Sequence, residues 1–151
     1  MKTMIRKLFA VSALGTAALL AFGAPAQAAS ATAERSLPSF ADCNYNKQSV
    51  SYLDYATPGQ IYAHTEKSTS KWDGNCGDVT ITQNLFVVSA SGVQYQTSNS
   101  SKDGTVTQQI TWTLQPGQSA HIHTKFSRSG KSSPTYIAAV DSQGNVSYAQ
   151  A

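Results

Sequence analysis

The chain has 151 residues, of which 13% are charged, and a formal net charge of +3 at pH 7. The whole excess comes from Lys2, Arg6 and Lys7, so the rest of the chain carries eight bases and eight acids. Without a basic excess the chain lacks the electrostatic signature of nucleic-acid binding and of attachment to anionic membranes. The length fits one domain and not two.

The first 28 residues have the three parts of a secretory signal. A basic start is followed by an apolar run from Leu8 to Phe22 and by the small residues of Ala26-Gln27-Ala28. This pattern predicts export from a bacterial cell and removal of residues 1–28. The run is shorter than the roughly 20 residues of a membrane span, and no cysteine lies at the predicted cut. We therefore expect a secreted mature chain that begins near Ala29 and has no membrane anchor.

The mature part predicts a single all-β domain. Residues 29–41 lack periodicity and are predicted to form a flexible leader before a domain at 42–151. In that domain, turn residues separate short runs rich in Thr, Val, Tyr and Gln. Strands are predicted at 49–55, 60–65, 78–89, 92–97, 105–114, 119–126, 135–140 and 145–148. This spacing is typical of an antiparallel β-sandwich or barrel of about 7–8 short strands.

Two of these strands carry distinctive patterns. In 105–114, one predicted face is apolar apart from Gln108, and its apolar members are Val106, Ile110, Trp112 and Leu114. In 78–89 the alternation slips because Leu85 to Val88 is continuously apolar. The slip predicts either a bulge near Gln83-Asn84 or a central strand that is covered on both faces.

Cys43 and Cys76 are the two cysteines of the chain. An even count in an exported protein predicts one disulfide bond. A loop of this length is expected to stabilise the fold by about 3–4 kcal/mol in the chain-entropy model.

His121 and His123 flank Ile122 on a predicted strand, so that both rings project from the same face, together with Lys125. Two imidazoles at positions i and i+2 lie about 7 Å apart, a spacing from which zinc or copper can be bound. His64 is the third histidine and the candidate third ligand. The alternative interpretation places both rings on a solvated outer face beside Lys125.

Groups for catalysis are scarce. The chain has no Gly-x-Ser-x-Gly motif, and both cysteines are assigned to the disulfide. Most acids fall in predicted turns, and a small sandwich offers little room for the facing carboxylates of a glycosidase. We expect neither catalytic activity nor a cofactor.

The aromatic residues indicate binding. Trp112 is predicted in the core, whereas Trp72 lies in a turn-rich loop next to Cys76. An exposed Trp on such a loop is typical of an anchor for a protein partner or a stacking surface for a sugar. The alternative is that Trp72 covers the disulfide. Tyr62 and Tyr95 are candidates to extend the same binding surface.

Two stretches resemble the tendamistat type of small secreted α-amylase inhibitors from actinobacteria. They are residues 72–82 (WDGNCGDVTIT) and residues 114–118 (LQPGQ), about 16 residues in all. The resemblance implies a β-fold and an exported protein. It does not extend to the inhibitory Trp-Arg-Tyr triplet, because Trp72 is followed by Asp73-Gly74, or to the four cysteines expected in that family.

These patterns favour a secreted, non-enzymatic binding protein whose partner is another extracellular protein, including a hydrolase that it inhibits. The alternative is a carbohydrate or cell-wall binding module that uses exposed aromatics. A surface-coat role without a specific ligand and a metal-binding role are the remaining interpretations.

Overall fold

The computed structural model describes residues 30–54, 58–68 and 74–151. The predicted signal peptide and Trp72 lie outside these ranges. The described residues form ten strands and one short 3-10 helix, with the bounds β1 (Ala31–Leu37), β2 (Asn46–Leu53), β3 (Gln60–Glu66), η1 (Gly74–Asp78), β4 (Thr80–Ser89), β5 (Gly92–Ser101), β6 (Thr105–Thr111), β7 (Ser119–Arg128), β8 (Lys131–Ser132), β9 (Tyr136–Asp141) and β10 (Val146–Gln150). They contain no helix long and apolar enough to cross a membrane.

The strands form two antiparallel sheets. A four-stranded sheet has the order β1-β2-β3-β6, and a six-stranded sheet has the order β10-β9-β7-β4-β5 with the short β8 paired to β7. Apolar residues from one face of each sheet pack together, so the fold is a β-sandwich with a shared core. The predicted all-β fold is confirmed, and each of the eight predicted strands overlaps an observed one.

The prediction of a flexible leader is wrong for Ala31–Leu37. This segment is β1, and it pairs with β2 along its whole length, from Ala31 opposite Tyr52 to Leu37 opposite Asn46. Its inward side chains include two small residues, Ala31 and Ala33, and the charged Arg35, which is why the run showed no obvious apolar period. Arg35 adds a long-range tie, because its guanidinium donates to the carbonyl oxygens of Ile137 at 3.0 Å and Ala149 at 2.9 Å.

The core has two apolar clusters separated by a layer of buried polar side chains. Gln48 donates to the carbonyl oxygen of Tyr136 at 2.9 Å and to the hydroxyl of Thr124 at 3.1 Å. Gln83 donates to the hydroxyl of Thr65 at 2.8 Å. Gln108, the one polar residue on the predicted apolar face of β6, donates to the side chain of Gln83 at 3.0 Å. Because these amides are paired across the two sheets, they fix the sandwich in one arrangement.

Strand β4 is central, since it pairs with both β5 and β7. Leu85 to Val88 is buried on both faces of the sheet. The prediction of a strand covered on both faces is confirmed. The bulge proposed near Gln83-Asn84 is wrong: the register with β5 shifts between Val87 and Val88.

The predicted disulfide joins Cys43 to Cys76, with their Cα atoms 4.9 Å apart. It connects the β1–β2 connection of one sheet to the segment that leads into β4 of the other. Beside it, the buried Lys67 ammonium donates to the carbonyl oxygens of Cys76 at 2.6 Å and Val79 at 2.7 Å. Burial lowers the pKa of Lys67 from its ordinary value. A disulfide in a small all-β protein is compatible with an extracellular location.

Candidate binding surfaces on the two sheets

The outer face of the four-stranded sheet is polar, and we call it the Tyr62 face. The strand register places its side chains in three rows across β1, β2, β3 and β6: Thr32-Ser51-Tyr62-Gln109, Glu34-Ser49-His64-Thr107 and Ser36-Lys47-Glu66-Thr105. Tyr62 lies on one of the two inner strands and is 37% exposed. A single aromatic ring is therefore surrounded by hydroxyl, amide and charged groups.

Hydrogen bonds hold the side chains around Tyr62. The hydroxyls of Thr32 and Ser51 lie 2.8 Å apart, and Gln109 donates to the side-chain oxygen of Gln60 at 3.1 Å. Both pairs link neighbouring strands. The groups beside the ring are thus held in place before any ligand arrives.

The charged groups of the Tyr62 face lie close to one another. His64 contacts the carboxylate of Glu66 at 3.2 Å through Nε2 and the hydroxyl of Thr107 at 3.3 Å through Nδ1. The Lys47 ammonium is 3.8 Å from the Glu34 carboxylate and lies opposite Glu66 in the strand register. The face therefore carries two carboxylates and one ammonium besides His64, a net charge too small to attract a strongly charged ligand.

Tyr95 does not share the Tyr62 face. It lies on β5, at the edge of the six-stranded sheet, and is also 37% exposed. Its ring packs against Trp112 with centroids 5.7 Å apart, and Trp112 in turn packs against the larger core cluster. The structure therefore separates the two tyrosines, and Trp72 lies outside the described residues. Trp112 contributes to the core, as predicted.

The outer face of the six-stranded sheet includes a buried patch of apolar side chains and two histidines, beside polar positions such as Asn84, Ser119 and Lys125. We call this patch the histidine face. It comprises Phe86, Val88, His121, His123, Ile137 and Ala139, all of which are buried. The four apolar members belong to neither core cluster. The four-stranded sheet packs on the opposite side of this sheet, against Leu85, Ile122 and Ala138.

The solvated position predicted for the histidines is wrong. His121 is 0% and His123 is 2% exposed, whereas Lys125 on the same face is exposed. Neighbours from β4 and β9 flank the pair with apolar side chains in place of the polar ones expected of a solvated stripe. Phe86 lies opposite His121, and the Phe86 ring is 4.7 Å from the His123 ring. Alternation along β7 correctly predicted that the two rings share one face of the strand. It could not predict the apolar neighbours on that face, because they belong to other strands.

Three ring nitrogens of this pair have no hydrogen-bond partner within the described part of the chain: Nδ1 of His121 and both nitrogens of His123. Nε2 of His121 is 2.9 Å from the hydroxyl of Ser119. Burial lowers the pKa of His121 to about 3 and that of His123 to about 4, with the proximity of His123 adding to the shift of His121. Both imidazoles are therefore neutral at pH 7.

The structure does not bring His64 to the histidine pair. His64 lies on the Tyr62 face, and the whole thickness of the sandwich separates it from His121 and His123. The described residues contain no cluster of three or more His, Cys, Asp or Glu side chains that could hold a metal ion. A site made from all three histidines of one chain is thus excluded by the fold.

The bond between Ser119 and His121 has the residue types of a nucleophile and its base. In a catalytic arrangement a third group orients the base through its other ring nitrogen, and Nδ1 of His121 has no hydrogen-bond partner in the described ranges. Asp141, opposite Ser119 in the register, instead accepts the backbone N–H groups of Gln143 and Asn145 at 2.9 Å. Its carboxylate stabilises a turn.

No known protein family, curated protein or solved structure was found to match this chain.

Proposed function

We propose that this chain is a secreted, non-enzymatic binding protein that recognises another extracellular protein through the Tyr62 face. The observation that carries the proposal is the position of Tyr62. It is a partly exposed aromatic ring on an inner strand of the four-stranded sheet, and polar side chains surround it. An aromatic residue inside a polar rim is typical of the centre of a protein–protein interface.

Secretion is supported by the signal-like N-terminal sequence together with the disulfide. The absence of catalysis is supported by the lack of an orienting carboxylate at His121 and by the structural use of Asp141. The resemblance to secreted amylase inhibitors makes extracellular hydrolases the first partners to test.

A carbohydrate is the second candidate ligand, and the row that contains Tyr62 favours it. The ring has the hydroxyl of Ser51 on one side and the amide of Gln109 on the other. A sugar can stack its apolar face on an aromatic ring while its hydroxyls bond to such flanking groups. In this case the ligand is an extracellular or cell-wall polysaccharide.

One binding experiment tests both candidates. The immobilised chain is exposed to culture supernatant, to secreted amylases and proteases, and separately to insoluble chitin, cellulose and peptidoglycan. We expect retention of a protein, and we expect Tyr62→Ala to weaken the binding about tenfold or more because the anchor is lost. Retention by a polysaccharide alone, with the same sensitivity to Tyr62→Ala, would establish the second candidate instead.

Tyr45 provides the matched control. It is 77% exposed and lies just before β2, outside the row of side chains that contains Tyr62. Tyr45→Ala removes an equally large aromatic side chain and is expected to leave binding unchanged. If both variants bind as the unmodified chain does, the Tyr62 face is not the binding surface.

A further inference from the structure

The edge strands of the two sheets differ in how well their backbone groups are covered. A sheet edge presents unpaired N–H and C=O groups that can accept a further strand, and proteins usually protect an edge with charges, proline, bulges or covering side chains. Apart from the two-residue β8, the edges are β1 and β6 in one sheet and β10 and β5 in the other. Strand β5 is the longest of these four edges, with ten residues.

The edges β1 and β10 cover each other. The guanidinium of Arg35 in β1 donates to the carbonyl oxygen of Ala149 in β10 at 2.9 Å, and the hydroxyl of Tyr148 in β10 donates to the carbonyl oxygen of Glu34 in β1 at 2.8 Å. On β6, the carbonyl oxygen of Val106 accepts a hydrogen bond from a β4 side chain at 3.4 Å. Side chains of other strands therefore occupy backbone groups of these three edges.

Strand β5 lacks such protection over most of its length. It contains no charged residue and no proline, and all of its residues except Thr97 and Ser101 are exposed. In the part of the chain that the structure describes, its hydrogen bonds outside the pairing with β4 stay within β5 or reach the adjacent turns. The bulge between Val87 and Val88 affects only the start of β5, so the register is unbroken from Tyr95 to Ser101.

The exposed edge is also held in place. The ring of Tyr95 packs on Trp112, which packs against the larger core cluster and so ties β5 to the core. The backbone N–H of Ser100 donates to the side-chain oxygen of Asn99 at 2.9 Å, which indicates that this N–H points away from β4. Backbone groups of residues two apart point the same way in an antiparallel strand, so those of Ser98 also point outward.

A second copy of this chain fits this edge. A strand that pairs with β5 must itself be unpaired on one side, and among the described strands β5 meets this condition without charges or covering side chains. Antiparallel pairing of β5 with itself puts no like charges opposite each other. A two-fold axis at Ser98 places Gln96 opposite Ser100 and Thr97 opposite Asn99. The hydroxyl and amide groups that meet there can each donate and accept hydrogen bonds.

We propose that two copies of this chain associate through β5, which pairs with its own copy in antiparallel fashion about a two-fold axis at Ser98. The contact joins the two six-stranded sheets into one continuous sheet. Main-chain hydrogen bonds between the two strands hold the pair and satisfy the outward backbone groups of both edges.

This inference is independent of the proposed function, because the Tyr62 face belongs to the other sheet. A dimer through β5 carries two Tyr62 faces. Two binding faces on one particle raise the apparent affinity for a repetitive or dimeric partner without any new contact.

The test uses the full-length chain expressed in an exporting bacterial host and recovered from the medium. Its mass is measured by light scattering and by sedimentation equilibrium at chain concentrations from about 1 µM to 1 mM, the range in which a small interface dissociates. We expect the mass to double within this range.

Substitutions at the axis assign the effect to β5. Ser98→Lys and Ser98→Asp each place two like charges opposite one another, and each is expected to raise the dissociation constant about tenfold or more. An equimolar mixture of these two variants is expected to recover the dimer as a mixed pair.

Two control variants leave β5 unchanged. Thr107→Lys adds the same charge at an exposed strand position of the other sheet and is expected to dimerise as the unmodified chain does. Tyr62→Ala is also expected to dimerise, so a failure of the proposed binding face would not affect this result.

Three outcomes would overturn the inference. They are a chain that stays monomeric up to about 1 mM, a dimer that Ser98→Lys leaves unchanged, and a mixture of the two charge variants that stays monomeric. A monomeric chain that captures another protein and loses it on Ser98→Lys would also overturn self-association, because β5 would then accept a strand of that partner.

Discussion

The two outer faces of this sandwich obey the same strand alternation and have opposite character. On the Tyr62 face, residues that alternate out of the core meet Ser, Thr, Gln and charged neighbours. On the histidine face, the residues that alternate out of the core are Phe86, Val88, Ile137 and Ala139 beside the two histidines. The difference lies in the outward residues of β4 and β9, which are apolar and which the topology places on either side of β7.

The two faces place a histidine side chain in different surroundings. His64 has a hydroxyl and a carboxylate within hydrogen-bond distance and stays partly exposed. His123 is buried with both ring nitrogens unpaired. The first histidine belongs to a polar surface, and the second lies among apolar side chains with no hydrogen-bond partner in the described residues.

Removing the disulfide is expected to have the largest effect on stability, because it links the segments that carry the two faces. The double variant Cys43→Ala/Cys76→Ala should lose about 3–4 kcal/mol of unfolding free energy, since the unfolded chain regains the freedom of the closed loop. Urea unfolding at pH 7, followed by tryptophan fluorescence, measures the loss. A double variant within about 1 kcal/mol of the parent would mean that the packing alone holds the two sheets.

The second prediction uses the pH dependence of stability to distinguish the two faces. His121 and His123 have lowered pKa values in the folded state and ordinary ones, near 6.5, in the unfolded chain. Below pH 6.5 the unfolded state binds more protons, so their contribution to stability is complete above this pH and falls as the pH drops toward 4. Between pH 7 and pH 5 we expect a loss on the order of 2 kcal/mol per histidine.

Urea unfolding in the presence of a chelator at both pH values measures this dependence without a contribution from metal. The double variant His121→Gln/His123→Gln should lose most of the slope, whereas His64→Gln should keep it. An equal slope in all three proteins would show that the pair is solvated and that the two faces do not differ in this respect.

Much of the fold could be predicted from the sequence. The strands, the disulfide and the core position of Trp112 follow from alternation, turn residues and cysteine count, which are local signals. Strand β1 was missed because its inward side chains include Ala31, Ala33 and Arg35, a row of two small residues and a charge. Arg35 is accommodated because carbonyl oxygens from two distant strands and the side-chain oxygen of Gln48 accept its hydrogen bonds.

The candidate sites were less predictable for a physical reason. The burial of His121 depends on Phe86 and Ala139, which come from different strands and meet it only through the sheet order β9-β7-β4. A continuous apolar run was visible in both neighbouring strands, from Leu85 to Val88 and from Ile137 to Val140. Those runs are the signal that indicates a sheet covered on both faces. To predict from those runs that the histidines are buried, one also needs to know that β4 and β9 pair with β7. The sequence alone did not predict this pairing.

The smallest expected effect concerns the contact between His64 and Glu66 on the Tyr62 face. The side chains of His64 and Glu66 remain 27% and 39% exposed, so water and salt screen their interaction. We expect His64→Ala and Glu66→Ala each to change the unfolding free energy by no more than about 0.5 kcal/mol at pH 7. The matched variant on the other face, His123→Ala, should change it by a larger amount, because it removes a buried ring that packs on Phe86. Urea unfolding of the three variants under the same conditions gives the change in unfolding free energy for each. A loss at His64 as large as that at His123 would mean that the Tyr62 face is a structural surface held by its own hydrogen bonds, and it would then be a poor candidate for a surface left free to bind a partner.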